Sequence, residues 1–196
     1  MSETANADLA RLFAENARAV GAGVLEAKNL EEALALALKV TREKTKAPDS
    51  GGAANAPKTL FLADVPDELY RRFEETAGKE GILVGRDLAG DFGEGPDAAF
   101  SVALFGISET GTAVLRFDSD DSRAAALLCE IQVVALGKSS LVPGFGEAEP
   151  KMTEIMRETD SRLVMVTGPS RTSDIERVLT LGAHGPLELL VVLTED

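Results

Sequence analysis

The stretch AFSVALFGISETGTAVLRF, residues 99–117, holds two apolar runs separated only by Ser108-Glu109-Thr110-Gly111. Apolar runs of this length bounded by turn residues read as strands. So short a connection makes the pair an antiparallel hairpin. On either side the texture changes to strands that alternate with helical patterns. TLFLADV (from Thr59) and GILVG (from Gly81) precede the hairpin; IQVVAL (from Ile131), RLVMVTG (from Arg162) and ELLVVLT (from Glu188) follow it. Short strands that are apolar throughout belong to a sheet covered on both faces. The fold class expected is therefore α/β, a mostly parallel sheet flanked by helices, with the 99–117 hairpin as its antiparallel exception.

Working outward, the first 46 residues read as helices. Leu9, Leu12, Phe13, Ala17 and Val20 recur at helical spacing, and Gly21-Ala22-Gly23 supplies a stop. A second helix opens at Asn29, with Glu32 as its capping-box partner. The following stretch, KAPDSGGAANAPK, has no periodicity and reads as a loop or linker. The chain thus divides into a helical segment (1–46), a linker (47–58) and an α/β domain (59–196).

Composition narrows the possible functions. The chain has 196 residues, 44% of them hydrophobic, and a net charge of −13. Residues 1–46 balance seven basic against seven acidic side chains, so the whole deficit lies in the rest. Such a body repels phosphate backbones, so nucleic acid is not an expected partner. No apolar run approaches the roughly 20 residues of a transmembrane helix. The start, MSETANADLARLF, lacks a signal-peptide pattern, which makes the cytoplasm the expected compartment. One cysteine, Cys129, and one histidine, His184, exclude an unaided iron–sulfur cluster or a structural zinc. No cofactor is expected in this chain.

Three places carry candidate chemistry. Thr167-Gly168-Pro169-Ser170-Arg171-Thr172 lies between an apolar strand and a helical pattern, with Ser173 and Glu176 placed as a capping box. Helix N–H groups and Arg171 there would clamp a carboxylate or phosphate. In the plainer reading the stretch is a rigid turn, with Arg171 in an internal salt bridge. Ser108-Glu109-Thr110-Gly111-Thr112 places a carboxylate beside hydroxyls at a strand end, suited to a nucleophile, a base or a substrate contact, or simply to a hairpin turn. His184, between glycines, is either a proton carrier near neutral pH or a loop histidine bonded to backbone. The candidate catalytic residues are Glu109 and His184. The candidate substrate-binding residues are Thr110, Gly111, Thr112, Thr167, Gly168, Ser170, Arg171 and Thr172.

The run TGPSRTSDIERVLTLGAHGP, followed by an apolar strand, resembles the signature end of the lactate-utilisation (LUD) domain family. ISETGT, SRAAALL and LVPGFGEA fall in that family's order, and the helical start resembles its small-subunit members. The resemblance implies the α/β fold shared by ribose-5-phosphate isomerase (RpiA), NagB and CoA transferases. It implies a place in a complex that oxidises L-lactate to pyruvate, with iron–sulfur clusters only in cysteine-rich partner subunits. This chain would then bind or orient a small organic acid, or couple its partners. The alternatives are a purely structural assembly subunit and an acyl- or CoA-type transferase using Glu109.

Overall fold

The computed structural model describes residues 3–44, 57–63, 65–92, 95–158, 162–172, 180–181 and 185–195. Its centre is a parallel sheet of six strands: β1 (Gly23–Ala27), β2 (Lys58–Leu62), β3 (Ile82–Gly85), β4 (Ala98–Ile107), β6 (Ile131–Gly137) and β11 (Glu188–Thr194). Their spatial order is β1-β11-β6-β4-β2-β3. Val133 and Val134, adjacent on β6, are both wholly buried and belong to different core clusters. That is the physical meaning of an uninterrupted apolar strand: both faces of the sheet are covered. Helices α2 (Leu30–Glu43) and α3 (Asp67–Lys79) cover one face through Leu34, Leu38 and Phe73. Helix α1 (Glu3–Ala19) covers part of the other through Phe13 and Ala17.

The 99–117 hairpin is where the sheet divides. The first half of β4 pairs in parallel with β2 and β6. Between Ala103 and Phe105 its register shifts, and the second half pairs antiparallel with β5 (Thr112–Phe117). A bulge of this kind bends a strand and raises its twist, so the chain can leave one sheet plane for another. Strand β8 (Arg162–Val166) lies antiparallel along the far side of β5, and the two-residue β7 (Leu141–Val142) lies parallel to the end of β4. Helix α6 (Phe145–Glu158) packs on this second ladder, where Ala148, Met152 and Ile155 meet Phe105, Ile107 and Val114.

Local chemistry accounts for the helix starts. The Asn29 side chain accepts from the Glu32 N–H at 3.0 Å, and the Glu32 carboxylate accepts from the Lys28 N–H at 2.6 Å. This is the expected capping pair, shifted by one residue on its return bond. Ser119 caps α5 (Asp120–Leu128) by accepting from the Ser122 N–H. The short α4 (Leu88–Asp91) is capped by Asp87.

Three details differ from the sequence reading. Residues 1–46 are not helical throughout, because Gly23–Ala27 forms β1 and extends the sheet at the β11 edge. Strand β2 starts at Lys58, the last residue assigned to the linker, while residues 47–56 lie outside the described residues. Arg171 and Thr172, expected in a turn ahead of a helix, form a short strand, β9, paired antiparallel with β10 (Thr180–Leu181). Ser173 and Glu176 lie outside the described residues, as does His184. Among the described residues, no helix is long and apolar enough to cross a membrane.

Candidate functional site

The ends of β4 and β8 fall at the same edge of the second ladder, because each is antiparallel to the β5 strand between them. Thr112 therefore opens β5 beside Thr167, the residue that follows β8. Their hydroxyls lie 2.7 Å apart, and the Thr112 hydroxyl is also 2.6 Å from that of Thr110. The structure thus joins the two candidate loops through a chain of three hydroxyls.

What holds the loops in place comes from the first 25 residues. The Asn16 amide donates to the carbonyls of Ser108 and Glu109, at 2.8 and 3.0 Å. Gly111 has φ +64°, and a Cβ there would lie 2.6 Å from Ala17 Cα and 2.7 Å from the Asn16 carbonyl carbon. Only glycine satisfies both the positive φ and the close backbone approach. Gly168, at φ +73°, meets the Val20 carbonyl in the same way. Helix α1 ends in a left-handed glycine cap, with the Gly21 N–H bonded to the Arg18 carbonyl. The Arg171 guanidinium lies against Gly21, so that a Cβ at Gly21 would be 3.1 Å from its central carbon. A cation beside a helix C-terminus is favourably placed.

From this junction the loops diverge. The Glu109 N–H bonds the Pro143 carbonyl at 2.9 Å, and the carboxylate leans over Gly144, at the start of α6. Thr167, Gly168, Pro169, Ser170 and Arg171 instead form one wall of a cavity of about 440 Å³. Leu115, Phe117, Val164 and Met165 from β5 and β8, and Arg123, Ala126 and Leu127 from α5, form other walls, with Gln132 of β6 also in the lining. Glu109 is not among these lining residues.

Gln132 is 1% exposed. Its amide nitrogen donates to the Ser101 hydroxyl at 3.0 Å, and its oxygen accepts from the Cys129 thiol at 3.5 Å. Burial pushes the Cys129 thiol up to about 12, so at neutral pH it is a hydrogen-bond donor rather than a nucleophile. At the rim, Arg123 reaches Asp120 at 3.3 Å. Hydrogen bonding and charge from Arg162, with Arg123 adding to them, hold the Asp120 carboxyl below the usual carboxylate range. Among the described residues Arg171 has no carboxylate within ion-pair distance.

The sequence reading missed Asn16, Gly21, Arg123 and Gln132. Asn16 and Gly21 read as parts of a helix and its stop, Arg123 as one charge on a surface helix, and Gln132 as one residue in a strand. No local pattern announces a contact made across 92 residues of chain.

An α/β protein whose mostly parallel sheet carries an antiparallel annex, with a cavity beside the annex, is the class that this geometry defines. The model of the LUD domain matches residues 10–194, and the chain belongs to that family. It is 34% identical over 148 residues to the Lactate utilization protein C of Bacillus subtilis (strain 168), covering 71% of this chain and 57% of that protein. To the protein of the same name in Oceanobacillus iheyensis it is 27% identical over 141 residues, covering 66% and 57%. The Macrococcus caseolyticus protein of that name is 32% identical over 93 residues, covering 46% and 40%. The chain spans about half the length of the curated relatives it matches. Its fold is also that of a DUF162 family protein from Deinococcus radiodurans, with TM-score 0.64, 19% identity, and 96% and 98% of the two chains covered.

Proposed function

We propose that the chain serves lactate utilisation as the organic-acid-binding, non-redox component of a complex that oxidises L-lactate to pyruvate. The observation that carries this reading is the cavity bordered by Arg171, in a chain whose net charge is −13. An acidic protein that handles an anion needs a fixed cation, and the guanidinium fork pairs with a carboxylate. The relatives named Lactate utilization protein C support the metabolic setting. Oxidation of lactate releases two electrons and two protons. With one cysteine the chain does not supply the four thiolates that an iron–sulfur cluster usually takes. The electrons are therefore assigned to clusters in cysteine-rich partner subunits, and this chain binds and orients the acid.

A second reading has an observation of its own. The guanidinium lies against Gly21, so Arg171 also fits a purely structural role, docking the end of α1 onto the loop. Arg171→Ala separates the two. As an anion site, the variant loses lactate and pyruvate affinity by roughly ten- to hundredfold in calorimetric titration, with its melting temperature unchanged. Arg171→Lys then recovers part of the loss. As a docking residue, both variants melt earlier and titrate like the parent. A stable Arg171→Ala protein with unchanged affinity ends the anion-site reading.

A further inference from the structure

The cavity is larger than lactate requires. At about 30 Å³ per non-hydrogen atom, a generous allowance, lactate or pyruvate fills roughly 180 Å³. The cavity measures about 440 Å³, within the range of sites that enclose larger organic molecules. Much of the described wall around the remaining space is apolar. Leu115 and Phe117, 1% and 3% exposed, together with Val164, Ala126 and Leu127, make an apolar wall beside the segment that carries Arg171.

Among the described residues, the buried polar side chain that lines the cavity is a neutral amide, that of Gln132. Gln132 uses one of its two N–H protons on Ser101 and accepts the Cys129 thiol on its oxygen. That leaves a second N–H on a side chain that lines the cavity. A cation at one end, an amide donor and an apolar wall together match an acid with an oxygen on its second carbon and a hydrocarbon tail beyond it.

We infer that the cavity takes 2-hydroxy or 2-oxo acids with branched or aromatic tails, and binds them more tightly than lactate or pyruvate. The inference rests on the reading that Arg171 receives the carboxylate. Each methylene transferred from water to the apolar wall favours binding, so a tail of several carbons strengthens it by on the order of tenfold or more.

The test is calorimetric titration of the full chain with L-lactate, pyruvate, the 2-oxo analogue of leucine and phenylpyruvate. It is run on the parent, on Arg171→Ala and on Leu127→Gln. Leu127 is 49% exposed, so the substitution spares the core. If it nevertheless lowers the melting temperature, Leu127→Ala takes its place. The expected result is at least about tenfold tighter binding of the two larger acids. That preference shrinks severalfold in the tail-wall variant, while lactate affinity stays level. Lactate bound as tightly as the larger acids, with all four weakened by Arg171→Ala, overturns this inference and leaves the proposed function standing. A preference for larger acids that survives the tail-wall substitution also overturns it, because the tail then lies elsewhere. Absence of binding by all four acids to the parent overturns both.

Discussion

Ser108–Thr112 and Thr167–Arg171 leave strands at the same edge of one ladder and touch through Thr112 and Thr167, but only the second borders the cavity. The first is enclosed by backbone. Ser108 and Glu109 bond through their N–H groups to Val142 and Pro143, through their carbonyls to Asn16, and Gly111 is pressed against Asn16 and Ala17. Among the described residues, the second is held by Gly168 against Val20, by the Ser170 N–H on the Pro186 carbonyl and by Arg171 paired with Leu181 in the β9–β10 ladder. Two loops alike in composition, each with hydroxyls, a glycine and one charge, thus stand in different mechanical situations. The difference teaches that hydroxyls and a glycine at a strand end do not by themselves mark a binding loop. What matters is whether another element already fills the space in front of it. For Ser108–Thr112, helix α1 does.

If the first loop is a clamp for α1, its largest sensitivity is at Gly111. Gly111→Ala combines left-handed strain of about 1–2 kcal/mol with overpacking against backbone, typically about 1–3 kcal/mol. The expected loss is about 2–5 kcal/mol in urea denaturation, large against the total stability of a domain. A loss below about 1 kcal/mol would mean that α1 shifts freely, and the contrast between the loops would fail.

Gly21→Ala probes the second loop with a smaller stability effect. The left-handed φ of +90° strains any residue with a side chain, by about 1–2 kcal/mol. The atoms met, however, belong to the end of the flexible Arg171 side chain, which can move aside. The expected outcome is modest destabilisation with a fall of roughly tenfold in organic-acid affinity, read by calorimetry. Unchanged affinity would show that the position of the guanidinium against Gly21 does not set the anion site.

How far the sequence revealed this arrangement follows from the range of each contact. Strands β2, β4, β5, β6 and β11 were legible because both of their faces are largely buried and their residues are mostly apolar. Strand β1 was not, since GVLEA alternates burial only loosely and is made a strand by pairing with β11, more than 160 residues later. That both candidate loops follow apolar strands was legible; their adjacency rests on β4 and β8 pairing antiparallel on either side of β5. The anchors of the junction were not legible, because Asn16 and Gly21 reach the site by packing of α1. Gln132 is distinguished only by its partners Ser101 and Cys129, which meet it across the core.

The smallest effect is expected at the junction itself, where Thr112, 4% exposed, stands between Thr110 and Thr167. Thr112→Val keeps the shape and removes the central hydroxyl. Two hydrogen bonds are lost, each worth about 0.5–1.5 kcal/mol net. Thr110 and Thr167 are exposed, however, so their hydroxyls recover partners in water, and valine suits the first position of a buried strand. The balance is a loss of about 0.5–1 kcal/mol. Thr167 lines the cavity, so freeing its hydroxyl from Thr112 should also weaken organic-acid binding, by less than about threefold. Thr112→Ser, which retains the hydroxyl, should restore the affinity although it loses a methyl group from the core. This separates orientation of Thr167 from packing: if valine restores what serine loses, the hydroxyl chain has no part in joining the clamped loop to the cavity. If both variants bind as the parent does, the two loops touch without acting on each other.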